Sequence, residues 1–205
     1  MSQAAVLHPS VEATESPLTP ESWGKLGMWI FLIGDAMSFG GLLAGYGAIR
    51  YGSADWPIPR HVLGISLTAF MTFLLICSSV TMVKALEAIR KGSQRGLQVF
   101  LLLTILGGVI FLGLQVHEWT HLIHKGLGLS GNPFGSSLFG PTFFIITGFH
   151  GAHVTGGVIY LLCIFIQARL GWYSAENNNR VEIAALYWHF VDLVWIMVFT
   201  FIYLL

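Results

Sequence analysis

The stretch LQVFLLLTILGGVIFLGLQV, residues 97–116, determines the kind of protein this is, because it contains no charged side chain. An α-helix rises ~1.5 Å per residue, so this run spans roughly 30 Å as a helix, the thickness of the hydrocarbon core of a bilayer. No water is available at that depth, and backbone groups there must be satisfied within the segment itself. The stretch therefore predicts a transmembrane helix.

Four more apolar runs of similar length flank this one. The five predicted spans cover approximately Leu26–Ile49, Val62–Val83, Leu97–Val116, Pro141–Gln167 and Ile183–Leu205. The 205-residue chain is 55% hydrophobic and 10% charged, whereas soluble domains carry roughly 25% charged residues. We therefore predict an all-α, polytopic membrane protein. Residues 23–205 would form a bundle of five transmembrane helices, and residues 1–22 a flexible polar N-terminal tail.

The distribution of charge argues against a nucleic-acid partner and predicts an orientation. The formal net charge is zero and no basic run is present. With five spans, the N-terminal segment shares a side with the second and fourth connections, where seven cations lie: Lys25, Lys84, Arg90, Lys91, Arg95, Arg169 and Arg180. The other side holds three, Arg50, Arg60 and Lys125. Because lysine and arginine are enriched on the inside, we expect the N-terminus inside and the C-terminus outside.

Several ionisable side chains lie within the predicted spans, far from water. The helical rise places them all in the middle third of the bilayer: Asp35, His150, His153, His189 and Asp192. Inserting such a group costs at least ~2.5–3.5 kcal/mol, so each is a functional hypothesis by default. Three interpretations stay open, namely hydrogen bonds between closely packed helices, proton handling, and ligation of a metal or haem.

The pentapeptide HEWTH, residues 117–121, follows the third span and has the H-E-x-x-H pattern of zinc metallopeptidases. In that pattern two histidines of one helix bind zinc and the glutamate activates a water. A third protein ligand is also required, and none of the later histidines and carboxylates is expected at the outer membrane edge with Glu118. We interpret the pentapeptide as an interfacial helix end. The alternatives are an intramembrane zinc peptidase and a membrane b-type cytochrome.

Two long stretches resemble a known family. Gly140–Leu162 (GPTFFIITGFHGAHVTGGVIYLL) and Tyr187–Leu205 (YWHFVDLVWIMVFTFIYLL) are similar to signature stretches of haem-copper oxidase subunit III, the third core subunit of cytochrome c oxidase. WIFLIGDAMSFGGLLAGYGAIR, residues 29–50, resembles the first helix of the bacterial form. Gln115–Trp119 resembles the Q-x-x-E-aromatic end of a middle helix. The resemblance covers residues 23–205.

This resemblance implies a non-catalytic subunit of a proton-pumping terminal oxidase. Haem and copper would lie in partner subunits, with no cofactor in this chain. The family's subunits pack against the haem-bearing subunit I and other oxidase subunits, bind phospholipid in a cleft, and support proton uptake during aerobic respiration. We expect a multi-pass protein of the bacterial inner (cell) membrane. By position, the intramembrane polar set would be Asp35, Glu118, His150, His153, His189 and Asp192.

Two features depart from the family pattern. The family usually has glutamate where this chain has Asp35, so the carboxyl group reaches one methylene less far. The first span also corresponds to the third helix of the seven-helix form, so helices of another subunit would have to complete the lipid cleft. An accessory protein of nitric-oxide reduction shares the family and stays open as an alternative. The electron donor is expected to bind other subunits.

Overall fold

The computed structural model describes residues 23–129 and 132–205, which form helices joined by short connections. In chain order these are α1 (Trp23–Gly52), α2 (Pro59–Val62), α3 (Ile65–Arg90), α4 (Gln94–His124), α5 (Phe139–Arg169) and α6 (Asn179–Val198), which Phe199–Leu204 continues as a π-helix. Within this part of the chain, five helices are long and apolar enough to cross a membrane. The predicted fold class of an all-α bundle of five transmembrane helices is therefore confirmed. The predicted tail, residues 1–22, lies outside the described residues.

Each membrane helix extends beyond the apolar run that predicted it at one end or both, although α3 begins at Ile65, three residues after the predicted start at Val62. The helix α3 continues past Val83 to Arg90, and its last turns carry Glu87 within 2.8 Å of Lys84 and 2.6 Å of Lys91. Charged pairs three and four residues apart lie on one helix face and support the helix locally. A prediction from hydropathy alone leaves charged turns out of a membrane span. For this reason the predicted second span ended at Val83, before the helix itself ends.

A tight turn joins α3 to α4 and makes them antiparallel neighbours. Gly92 has a φ of 76°, a left-handed conformation that glycine adopts without steric cost and that ends many helices. The hydroxyl of Ser93 then accepts a hydrogen bond from the backbone N–H of Gly96 at 3.2 Å, which caps α4. Further along, a Cβ placed on Gly107 would lie 2.7 Å from Cβ of Ser78. The two helices therefore pack closely through small residues.

The central helix is α6, which packs against α3, α5 and α1. Trp188 and Trp195 are completely buried on it. Their indole N–H groups donate to the hydroxyls of Ser78 and Thr72 on α3, at 3.1 Å and 3.0 Å. Each ring thereby fills the core while its polar atom is satisfied, as buried tryptophan requires. These contacts fix the position of α6 against α3.

The least buried membrane helix is α1, which contacts α6 and α5. In the most apolar stretch of α1, only 11% is buried by the rest of the protein. The corresponding value is 50% for the span formed by α6 and its π-helical continuation. At one end Glu182 of α6 joins two other helices, because its carboxylate lies 3.0 Å from Nζ of Lys25 on α1 and 3.2 Å from Nη2 of Arg90 on α3. We call this the Trp23 end of the bundle and the opposite end, where α1 finishes, the Gly52 end.

Candidate intramembrane polar site

The predicted polar residues do not converge on one centre but occupy four separate places. One is a pair between two helices, one is a pair on a single helix that contacts a neighbouring helix, one is a histidine enclosed by aromatic rings, and one is a carboxyl group closer to the Gly52 end. In that order they are Asp35 with His153, His189 with Asp192, His150, and Glu118. Packing contacts and proton-holding groups can occupy separate places, whereas the ligands of a metal centre must meet at one point.

The first pair joins α1 to α5. Oδ2 of Asp35 lies 3.2 Å from Nε2 of His153, at ion-pair distance, although the two atoms lack the alignment of a well-formed hydrogen bond. Nδ1 of His153 lies 2.8 Å from the carbonyl oxygen of Phe149. Because a carbonyl can only accept, Nδ1 carries a hydrogen, and Nε2 is left to face the carboxyl group. His153 is one of the two histidines at the depth predicted for Asp35.

Aromatic side chains and a second helix enclose this pair. The ring of Phe39 on α1 lies edge-on to the imidazole of His153, with centroids 5.2 Å apart, and that of Phe149 lies 4.6 Å away. The hydroxyl of Tyr187 on α6 donates to the carbonyl oxygen of His153 at 3.0 Å. The side chains of His153 and Asp35 are only 15% and 14% exposed. The pair is therefore held in an apolar environment at the junction of three helices.

The second pair joins α6 to α3 through one hydroxyl group. His189 and Asp192 lie three residues apart, which places both on the same side of α6. Nδ1 of His189 is 2.6 Å from Oγ of Ser79, and the carboxyl group of Asp192 lies beside the same hydroxyl. Asp192 is 7% exposed, and its Oδ1 has no hydrogen-bond partner among the described residues. For these two residues, contact between closely packed helices fits the geometry.

His150 lies in the core of the bundle and is completely buried. Its ring lies 4.8 Å from that of Trp195 and 5.7 Å from that of Phe111, measured between centroids. Neither ring nitrogen has a hydrogen-bond partner within residues 23–129 and 132–205. The interhelical hydrogen bond expected as one interpretation is thus not formed by His150. Its contacts are those of an aromatic packing residue.

Glu118 is the buried member of the HEWTH pentapeptide and lies inside the bundle. Its Oε1 accepts a hydrogen bond from the hydroxyl of Thr68 on α3 at 3.0 Å, and Oε2 accepts one from Tyr203 in the π-helix at 2.9 Å. His117 and His121 are exposed on α4, whereas Glu118 is only 3% exposed. The glutamate is therefore enclosed by the bundle while the two histidines lie at its surface. In the described part of the chain, no group of three or more His, Cys, Asp or Glu side chains could hold a metal ion.

The hydroxyl partners in this site could not be found from the sequence. Ser79, Thr68 and Tyr203 lie 110, 50 and 85 residues from the groups they contact. Serine, threonine and tyrosine are ordinary residues in membrane helices, and the hydroxyls of serine and threonine commonly bond to the backbone of the preceding turn. No spacing or composition marks the ones that bond across helices. Their identification needed the relative rotation of the helices.

Comparison with known proteins adds a family and several relatives. A family model described as cytochrome c oxidase subunit III matches residues 21–205. The quinol oxidase subunit 3 of Bacillus subtilis is 36% identical over 88% of this chain and 86% of its own length. The cytochrome c oxidase subunit 3 of Alkalihalophilus pseudofirmus is 33% identical, covering 88% and 85%. The cytochrome bo(3) ubiquinol oxidase subunit 3 of Pseudomonas aeruginosa is 34% identical, covering 87% and 83%.

Proposed function

Because this chain belongs to the cytochrome c oxidase subunit III family, we propose that it has no catalytic centre of its own and supports proton supply to the haem-bearing subunit I. It is a multi-pass membrane protein and a member of a haem-copper oxidase complex. We further propose that it packs directly against subunit I and that haem and copper are confined to the partner subunits. Its membrane would be the bacterial inner membrane, with the Trp23 end inside.

The Asp35–His153 pair is the observation that supports the proton-related role. With Nδ1 bonded to the carbonyl of Phe149, the two facing atoms are matched when one proton lies between them. The pair is then neutral overall, whether the proton belongs to the carboxyl group or to the imidazole. A neutral pair is the state that an apolar environment favours. Asp35 and His153 can thus hold and exchange one proton within the membrane.

For the other members of the intramembrane polar set we propose structural roles in packing. These members are Glu118, His150, His189 and Asp192.

Phospholipid binding is proposed along the outward face of α1. This face is apolar and exposed, with Ile30 63% and Met37 74% accessible. In the oxidase, α1 would form one wall of a lipid-filled cleft, and helices of another subunit would form the facing wall.

The names of the relatives bear on the electron donor, since some are named for quinol and others for cytochrome c. Similar subunits serve both donors, so we propose that the donor binds other subunits.

Purification through an affinity tag on this chain tests the proposal. From membranes in mild detergent, we expect a haem-bearing oxidase subunit to co-purify, identified by mass spectrometry and by the visible haem spectrum. After the subunits are separated, this chain should show no haem absorbance and no stoichiometric zinc. The His121→Ala variant serves as the control and should have the same metal content. Haem on the isolated chain would instead support a b-type cytochrome. About one zinc per chain, lost in His121→Ala, would support a peptidase.

A further inference from the structure

A groove of about 360 Å³ lies between α1 and α6 within the membrane-spanning part of the bundle. Ile33 and Ala36 of α1 form one side, and Leu186 and Leu193 of α6 form the other. Two lining residues carry a polar side-chain atom, Trp29 near the start of the first span and His189 deeper in the membrane. The mostly apolar groove thus contains one imidazole, and the surroundings of that imidazole indicate what the groove receives.

One nitrogen of His189 is engaged inside the protein and the other is not. Nδ1 lies 2.6 Å from the hydroxyl of Ser79, which also lies beside the carboxyl group of Asp192. For Nε2 the described residues provide no hydrogen-bond partner, and this atom is not enclosed. His189 lies six residues beyond Ile183, where the apolar span begins after the ion pairs of Glu182, which corresponds to ~9 Å of helical rise into the ~30 Å hydrocarbon core. A partly charged nitrogen therefore lies within the hydrocarbon core without a hydrogen-bond partner from the described residues.

The depth of this nitrogen distinguishes between possible occupants. The polar groups of a phospholipid stay at the membrane interface, roughly 9 Å away, and its acyl chains offer no hydrogen bond. A transmembrane helix can carry a polar side chain at this depth, and helices in membranes do associate through such contacts. The volume of the groove is enough for a few side chains of a partner helix. Helices commonly pack in this way, with a ridge of side chains on one helix entering a groove on the other.

We propose that the α1–α6 groove receives a transmembrane helix of a neighbouring oxidase subunit, and that this helix places a hydrogen-bonding side chain against Nε2 of His189. The inference rests on the proposed function, because it requires an oxidase partner in the membrane. It adds the place of contact, the type of segment that binds and the chemical group that is recognised. His189 would thus join Ser79 inside this subunit to the partner outside it.

Photo-crosslinking in the intact complex tests the place of contact. A benzophenone amino acid would replace Ile33 in the groove or Ile159 on α5. The two residues are 59% and 58% exposed, and each lies ten residues from the Trp23 end of its helix. We expect a peptide of one partner subunit crosslinked at Ile33, and mainly lipid at Ile159. Crosslinks to phospholipid or quinone alone at Ile33, or equal yields of the partner peptide at both positions, would overturn the proposal.

Three substitutions of His189 test the recognised group. The amide group of a glutamine would lie near the position that Nε2 of the histidine occupies. The amide group of the shorter asparagine would lie near the position of Nδ1. His189→Gln should therefore retain the partner through a detergent wash as the wild type does, whereas His189→Asn and His189→Leu should retain about threefold less. Retention by His189→Asn and loss by His189→Gln would show that only the contact with Ser79 matters. Failure of the wild-type chain to bring down any oxidase subunit would instead contradict the proposed function itself.

Discussion

At Asp35 a shorter carboxyl group than the family's usual glutamate still reaches a histidine of another helix. The separation of 3.2 Å between Oδ2 and Nε2 of His153 shows that the missing methylene does not prevent the contact. Phe39 packs against the imidazole of His153 at 5.2 Å between centroids and shields it on the α1 side. The replacement of glutamate by aspartate is therefore compatible with the proton-related role that we propose.

The protonation state of this pair can be tested by removing the acidic proton. In the neutral form that we favour, the protonated carboxyl group faces Nε2 of His153, and the uncharged amide of Asp35→Asn can take the same position. We expect Asp35→Asn to leave the unfolding temperature in detergent almost unchanged. If Asp35 were ionised beside a histidinium, the same change would leave a buried cation unpaired and lower stability by about 3–5 kcal/mol. Asp35→Leu, which offers no donor, is the control that should destabilise in either case.

At the scale of the helices, α1 is fastened to the bundle at three levels although little of its surface is buried. Lys25 contacts Glu182 at the Trp23 end, and Asp35 contacts His153 in the middle. The guanidinium group of Arg50 donates to the backbone carbonyl of Leu205 at the Gly52 end. Polar contacts at each level set the rotation of α1, because its apolar contacts alone are few. The exposed face is then left for lipid or for another subunit.

The packing of α4 depends on two positions with opposite surroundings. A Cβ on Gly108 would lie 2.6 Å from the ring of the fully buried Trp188 and 2.7 Å from Val158, whereas a Cβ on Gly113 meets nothing within 4 Å. We expect Gly108→Ala to destabilise the bundle by about 1–3 kcal/mol through overpacking. Gly113→Ala is the matched control and should be neutral or stabilise by up to ~1 kcal/mol, because alanine favours helix. The measurement is thermal unfolding in detergent, and equal effects would contradict the packing described.

Hydropathy and family resemblance predicted the elements well, and the contacts between elements less well. The number of membrane helices follows from runs of apolar residues, and the depth of Asp35 and His153 follows from the helical rise. The ends of α3 and α4 were predicted too early, because polar turns continue a helix at the membrane surface. The contacts of Glu118 with Thr68 and Tyr203 depend on how three helices are rotated about their axes. A local pattern such as HEWTH contains no information on that rotation, so its two histidines suggested a metal site.

At the scale of the whole molecule, the subunit consists of closely packed helices around α6 and a weakly buried helix α1. The polar residues lie within this bundle at helix junctions, and the described residues bring no three potential ligands together. Such a structure is suited to positioning partners and holding protons. The central claim is that this subunit sustains proton supply to a catalytic neighbour through the Asp35–His153 pair, and not that it takes part in oxygen reduction.

The most direct test is oxidase activity during sustained turnover, followed against pH for wild-type complex, the Asp35→Asn complex and complex stripped of this subunit. Initial turnover should be similar in all three, because the redox centres are proposed to lie elsewhere. We predict that the wild type keeps its activity longest, while the Asp35→Asn and stripped complexes inactivate sooner. Their deficit should grow as pH rises, since fewer protons are then available. Equal decay of wild type and Asp35→Asn, with faster decay only in the stripped complex, would contradict the claim for Asp35.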